Sequence, residues 1–304
     1  MPPLNFILVL KDCWNLDSRK QPSKKVKQMN NRSFHRQYQN RRRVYEKRLF
    51  KGYSIAIGNL YNKFAAGVST GKGLKAIPSD KIIGDIILKN TDASYKTLIR
   101  ESVKMSLDDV QKAYGKQLPV LIQKGITDAD IDNLGMASVM QSIHGNGMKK
   151  IVLPEVTRTM KKNFTSIFEK ATDEGKSIKE ITKIIQEKGK FDKVYKARRI
   201  ARTETTRCYN AGAFEGYKMS TVVKQKEWSS NNFGSDQRET HADADGQKVD
   251  YDKPFIVGGE ELMYPGDENG SPENVVNCLC GMMPVIGEIK APNKISKERI
   301  NEKN

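Results

Sequence analysis

At about Glu227 the chain changes from a helical pattern to a turn-rich one that runs to Pro284, and this switch limits what it can fold into. Before it, apolar residues recur every three or four positions, the spacing of one helix face. After it they fall in short runs divided by Asp245-Gly246, Gly258-Gly259 and Pro265-Gly266-Asp267, which are turn signals. Val222-Val223 with Trp228, Val249 to Val257 broken at Asp252-Lys253, and Val275 to Val285 read as three strands. The expected fold class is α+β: a mostly helical N-terminal two-thirds and a small turn-rich β module at the C-terminus. Such a module has little core of its own and needs a staple or a neighbour.

A metal ion is one such staple. Residues two apart in a strand share a face, so Cys278 and Cys280 are expected to reach one ion from the third strand. His241, the one histidine in the second half of the chain, adds an imidazole from the preceding loop. Two thiolates and an imidazole favour zinc. Asp245 is the expected fourth ligand, with Asp236, Cys208 or water as alternatives. Two buried thiols beside a hydrogen-bonded histidine is the plainer reading of the same residues. A Cys–His nucleophile would need an orienting group that is not recognisable. Asp243-Ala244-Asp245-Gly246 begins like a calcium loop but lacks its later ligands. No catalytic residue is assigned, and the chain is read as non-enzymatic.

The body before the module is helical. Tyr38, Val44, Tyr45, Leu49, Tyr53, Ile57, Leu60 and Phe64 mark a helix over residues 31–67, followed by a flexible joint at 67–73. That joint lacks a complete phosphate-loop motif. Further helices are expected at 79–89, 91–114 and 127–143, the last capped at Thr127-Asp128. Gly145-Asn146-Gly147 is expected to break the pattern, with His144 beside it as a surface or capping histidine. Pro154 should open the next helix. Ser177-Ile178-Lys179-Glu180 is a capping box, with Ile178, Ile181, Ile184 and Ile185 as the buried stripe and Gly189 as the stop. A helix from Asp192 to Met219 follows. Its small residues Ala197, Ala201, Ala211, Gly212 and Ala213 invite a close neighbour, expected to be the module; Gly212 and Gly216 each weaken a helix by about 1 kcal/mol relative to alanine.

Charge divides the chain into two ends. The net charge is +17, yet residues 19–51 hold 13 Lys/Arg against the single acid Glu46, and residues 227–288 hold 13 acids against three bases. A basic end of this kind meets anions, and the tyrosines interleaved with it favour nucleic acid. Lys24, Lys25, Lys27, Arg36, Arg41, Arg42, Arg43 and Arg48 are the candidate contacts to double-stranded DNA, without sequence preference. The acidic module is expected to dock on protein instead.

Four cysteines do not form a disulfide framework at this length, and a reducing compartment is the simpler setting. No run of about 18 apolar residues is present, so no membrane span is expected. Leu4 to Leu10 is neither a signal peptide nor a membrane helix. Met29 opens a natural soluble start, and residues 1–28 are read as a leader, either an over-extended start or an unstructured lead-in. The expected divisions are 1–28, a basic helical region 29–150, a helical part 151–220, the Cys/His module 221–288 and a basic tail 289–304.

A set of residues in fixed order carries a family resemblance. It comprises Ala201-Arg202-Thr203-Glu204-Thr205 with Asn210, Trp228, Asp236-x-Arg238-x-x-His241, Asp245-Gly246-Gln247, Pro254-Phe255, Pro265-Gly266-Asp267, Ser271-Pro272-Glu273-Asn274 and Asn277-Cys278-x-Cys280. Together these resemble the phage Mu F-like head morphogenesis family of tailed bacteriophages, over roughly residues 150–285. The resemblance implies a minor head protein of few copies at the portal vertex, assembled in the host cytoplasm and carried in the virion head with DNA. The portal protein, and scaffolding or major capsid protein, are the implied partners. It supports a metal or functional role for His241, Cys278 and Cys280, and structural roles for Arg202, Glu204, Asn210, Trp228, Asp236 and Arg238. Leu279 departs from it, since the family usually has Arg there. The competing classes are a metal-dependent nuclease or toxin-like effector, and a plain non-specific DNA-binding protein.

Overall fold

The structure is a computed structural model that describes residues 31–114, 129, 136–220, 222–230 and 237–286. The proposed leader, the Thr127-Asp128 cap, Asp236 and the basic tail lie outside the described residues. Three long helices form the body: α1 (Asn31–Ser69), α2 (Asp80–Tyr114) and, later in the chain, α5 (Ile178–Ser220). Between them come a 3-10 turn (Gly73–Ala76), the short α3 (Met136–Met140), a π-helical stretch (Gln141–Val152) and α4 (Leu153–Asp173). The module follows as β1 (Val223–Ser229), α6 (Glu239–Asp243), β2 (Lys248–Asp250), β3 (Phe255–Val257), β4 (Glu260–Leu262), α7 (Pro272–Val275) and β5 (Gly281–Ile286). The fold is α+β, and among the described residues the strands lie in the C-terminal module. No helix among the described residues is long and apolar enough to cross a membrane.

α1 buries Tyr38, Tyr45, Leu49, Tyr53, Ile57, Leu60 and Phe64 on one stripe against α2 and α5. Val44 is off that stripe and exposed, one step round the helix from Tyr45. α5 sits close to its neighbours because its small residues remove side chains from the contact. A Cβ on Gly212 would fall 1.8 Å from Ser102 Oγ, and one on Gly216 the same distance from Ser106 Oγ. The close neighbour at Gly212 and Gly216 is therefore α2, while Ala213 belongs to the same buried cluster as Trp228, Cys278 and Cys280 of the module.

Several expected breaks are absent. The helices at 79–89 and 91–114 are one, and α1 runs on past Gly67 to Ser69. Gly189 does not stop its helix; it lies inside α5, where a Cβ would come within 2.7 Å of Tyr61 Cβ. The glycine is needed for approach, and the Tyr61 hydroxyl beside it donates to the buried Asp192 carboxylate. Gly145-Asn146-Gly147 likewise sits within continuous helix, in its π-helical part, and Pro154 occupies the first turn of α4. A Cβ on Gly147 would clash with the Arg207 guanidinium, whose Nη1 donates to the Ile143 carbonyl at 3.3 Å. His144 is buried, with Nε2 3.0 Å from Asp92 Oδ1, and burial lowers its pKa.

Other local signals act as read. Ser177 and Glu180 form the reciprocal capping box: the Ser177 N–H donates to the Glu180 carboxylate at 2.8 Å, and the Glu180 N–H to Ser177 Oγ at 3.3 Å. Of the isoleucines behind it, Ile181 and Ile185 are buried, while Ile178 is exposed in the first turn. In the module, β1 is the centre of an antiparallel sheet ordered β2-β1-β5, with Trp228 opposite Met282. β3 and β4 form a hairpin through Gly258 and Gly259, both at positive φ (58° and 81°), a conformation glycine adopts without strain. β4 carried no sequence signal, because its Glu260-Glu261-Leu262 is too short and polar to read as a strand.

Candidate metal centre

The expected third strand begins later than its sequence suggests. Residues 272–275 form a helical turn, β5 starts at Gly281, and Cys278 and Cys280 lie in the loop between. A strand's alternation therefore does not bring the thiols together. The loop does so through a left-handed turn at Asn277 (φ 59°), which leaves the Cys280 N–H 3.4 Å from Cys278 Sγ.

Two helices hold that loop. On α5, Thr203, Thr206, Asn210 and Tyr217 follow one another at three-, four- and seven-residue steps, a single helix face. Thr203 Oγ1 accepts from the Asn277 N–H at 3.0 Å, and the Thr206 hydroxyl donates to the Cys278 carbonyl at 2.6 Å. The Asn210 amide is shared between the Cys280 and Pro265 carbonyls, 3.1 Å from each. The Tyr217 hydroxyl donates to Met282 O at 3.0 Å. From α1, Tyr38 donates to Cys280 O at 2.8 Å and Gln39 to Leu279 O at 2.6 Å. Burial holds the Tyr38 phenol well above its ordinary pKa, so it stays protonated and remains a donor. The donors on these buried faces are satisfied by backbone carbonyls of the module, while Asn210 Oδ1 has no partner among the described residues.

His241 enters from α6. Arg238, which precedes that helix, donates to the Val276 carbonyl and so ties α6 to the same loop. Trp228, fully buried, packs edge-on to the His241 ring at 5.8 Å and to Phe255 at 5.3 Å. His241 Nδ1 then lies 3.3 Å from Cys280 Sγ and 3.8 Å from Cys278 Sγ. One atom from each of the three residues falls within 4.8 Å of the others, and all three are buried. Nε2 has no hydrogen-bond partner among the described residues, so the two sulfurs are the ring's polar neighbours. The Cys280 hydrogen bond, aided by His241 and opposed by burial, holds the Cys278 thiol well below the ordinary thiol range.

These distances suit a tetrahedral ion. Zinc bonds of ~2.05 Å to nitrogen and ~2.3 Å to sulfur place the two ligand atoms about 3.6 Å apart, between the two separations observed. The residues present therefore fit such an ion with three protein ligands. The fourth expected ligand does not join them. Asp245 Oδ1 instead accepts from the Ser230 N–H at 2.7 Å, fixing the exit of β1. Cys208 lies in the helical core beside Arg207, and burial pushes its thiol up to about 12.

The expected DNA contacts divide. Arg36, Arg43 and Arg48 are exposed, and Lys24, Lys25 and Lys27 lie outside the described residues. Arg41 and Arg42 do not face solvent as the run of three suggested. Arg41 forms a two-pronged pair with Asp109 at 2.8 and 3.1 Å, and buried Arg42 is held by Gln39 and Glu46. Three consecutive residues on a helix point in three directions, and two of these face neighbours.

The helix with Arg202, Glu204 and Arg207 carried more than surface charge. Arg202 reaches Glu46 at 3.4 Å. Glu204 and Arg207 are both buried and paired at 2.9 Å, with Tyr95 donating to Glu204 at 3.0 Å. Arg207 also reaches towards Glu268 at 3.8 Å, so this pair joins α5, the π-helical stretch and the module. Sequence reading missed both its burial and that of Lys226. The Lys226 ammonium donates to Met263 O at 2.7 Å and lies over the Phe214 and Phe255 rings, and burial lowers its pKa to about 8.

The α5 face, the Cys-x-Cys loop and the histidine helix all fall within one stretch of known kind. Residues 162–283 match the family described as Phage Mu protein F like protein. Over this segment the chain is similar to that family. The match starts inside α4 and ends in β5, leaving α1 and α2 outside it. A relative from Bacillus subtilis (strain 168), "Uncharacterized protein YqbB", is 34% identical over 119 residues. The alignment covers 38% of this chain and 39% of that protein. No solved structure matches the chain. Every residue of the candidate centre, and the α5 face that holds its loop, lies within the Mu F-like segment.

Proposed function

We propose that the chain is a minor head protein acting in phage head morphogenesis, seated at the portal vertex with its basic end towards packaged DNA. The Mu F-like match over residues 162–283 carries the reading. The charge layout supports its polarity: a basic α1 at one end of the chain and an acidic module at the other. DNA would be drawn to the cations of α1, and the acidic surface of the module away from the Cys-x-Cys loop, which α1 touches through Tyr38 and Gln39, is left to dock on protein, the portal or its neighbours. The function needs no catalytic step from these residues.

Zinc is the proposed ion for His241, Cys278 and Cys280. It would supply a second link between α6 and the loop, beside the Arg238 hydrogen bond, and so reinforce the small core of the module. Quantitative mass spectrometry of purified particles tests the function. The chain should be present at a few copies per particle, far below the major capsid protein. Its absence from DNA-filled heads would overturn the assignment.

A further inference from the structure

Where α1 and α5 run side by side, a groove of about 450 Å³ opens next to the Cys-x-Cys loop. Five cations line it, Arg42, Arg43, Lys47, Arg198 and Arg202, against the single carboxylate of Glu46. That carboxylate is already committed: one oxygen takes Arg42 at 2.7 Å and the other Arg202 at 3.4 Å. No carboxylate among the described residues pairs with Arg43, Lys47 or Arg198, and all three are exposed. The Arg198 guanidinium is steadied by the Phe50 ring, 5.8 Å from its centroid, an arrangement that leaves its N–H edge available.

The helical core uses only Arg42 and Arg202 of this cluster, each through Glu46. Arg43, Lys47 and Arg198 add like charge that repels, and the fold gains nothing by placing them there. An anion in the groove reverses the sign of that energy. Arg43 and Lys47 are one turn apart on α1, and Arg198 and Arg202 are one turn apart on α5. Two rows of cations, each repeating over ~6 Å of helix, suit a row of anions better than a single one. Guanidinium groups match phosphate oxygens in pairs.

We propose that this groove, rather than the run of three arginines on α1, grips the phosphate backbone of duplex DNA. The inference rests on the DNA contact in the proposed function and gives it a location. It assigns contacts to Arg43, Lys47, Arg198 and Arg202, two of them from within the Mu F-like segment, and removes Arg41, whose guanidinium is held by Asp109. The groove also touches the candidate centre through a chain of hydrogen bonds. Arg42 Nε donates to Gln39 Oε1 at 3.1 Å, and Gln39 donates to the Leu279 carbonyl between the two cysteines. Leu279 itself lines the groove.

The test is salt-dependent binding of the full-length chain to a labelled random-sequence duplex, read by fluorescence anisotropy. The slope of log K against log salt should flatten by about two to three units in Arg43→Ala/Lys47→Ala/Arg198→Ala, at ~0.9 for each phosphate that is no longer neutralised. Arg36→Ala/Arg48→Ala, on exposed α1 positions outside the groove, should change it by less than one unit. Leu279→Arg should steepen it by about one unit. All these substitutions are at solvent-facing positions or the groove wall, and unchanged melting confirms the fold. Inorganic phosphate at matched ionic strength should fail to displace the duplex. Displacement would make the groove a single-anion site and overturn the assignment to DNA. If the wild-type chain binds DNA and the triple variant keeps its slope, the groove is wrong and the DNA contact stands. If the wild-type chain does not bind duplex at all, both fail.

Discussion

Replacing Arg207 with methionine should destabilise the chain strongly, and Glu204 determines by how much. The two side chains are almost completely buried and paired at 2.9 Å. Arg207→Met keeps most of the side-chain volume but leaves the Glu204 carboxylate with the Tyr95 hydroxyl, at 3.0 Å, as its remaining donor. It also removes the donor to Ile143 O and the cation facing Glu268. Breaking a buried pair from one side costs about 3–5 kcal/mol, because the other charge is stranded. At about 2–4 °C per kcal/mol this lowers Tm by roughly 6–20 °C. Arg207→Met/Glu204→Gln removes both charges and keeps an acceptor for Tyr95, so it should recover at least half of the loss. Thermal melts of the four proteins give the coupling directly, expected at about 1–3 kcal/mol. Hydrogen exchange adds a local readout: the π-helical stretch 141–152 should lose protection in the single variant, since Arg207 ties it to α5. A single variant within about 1 kcal/mol of wild type, or strictly additive losses, would refute the claim that this pair joins the helical body to the module.

Other outcomes follow from the packing and the charges. Gly212→Ala should cost about 1–3 kcal/mol through overpacking against Ser102, even though alanine is the better helix former, and Ser102→Gly should rescue part of that loss in a denaturation series. Lys226 makes stability depend on alkaline pH. Its folded pKa of about 8 lies below the ordinary 10.5, so between those values the unfolded chain holds a proton the folded chain does not, and stability rises with pH. Lys226→Met should remove that rise, worth up to about 3 kcal/mol across the window, and urea melts at pH 8 and pH 10 measure it; equal slopes for the two proteins would contradict the assignment.

The parts of this fold legible in the sequence are those decided locally. The tyrosine and leucine stripe of α1, the Ser177–Glu180 capping box and the turns at Gly246, Gly258 and Gly266 all depend on residues a few positions apart. Gly147 and Gly189 misled for the same reason in reverse. Each looks like a helix stop and is instead a place where a distant side chain, Arg207 or Tyr61, comes too close for a Cβ. The meeting of His241, Cys278 and Cys280 was foreshadowed by residue type and spacing, though the geometry that achieves it was not. Tyr38 and Cys280 are 242 positions apart, and Thr206 and Cys278 are 72 apart. Nothing in the helical pattern says that Thr206 and Asn210 face a loop's carbonyls, and Tyr217 a carbonyl of β5, rather than solvent. The fate of Arg41 was hidden in the same way, because Asp109 lies 68 positions away, whereas Arg42 is held by Gln39 and Glu46 on its own helix, a local pairing.

Metal content tests the candidate centre most directly. The purified chain should carry about one zinc ion by elemental analysis, lose it to chelators and on acidification as the thiolates take up protons, and melt at a lower temperature once it is gone. Cys278→Ser/Cys280→Ser should bind none and melt like the chelated wild type. A wild-type chain free of zinc after purification and zinc addition, with melting unchanged by the double substitution, would contradict a metal staple at His241, Cys278 and Cys280.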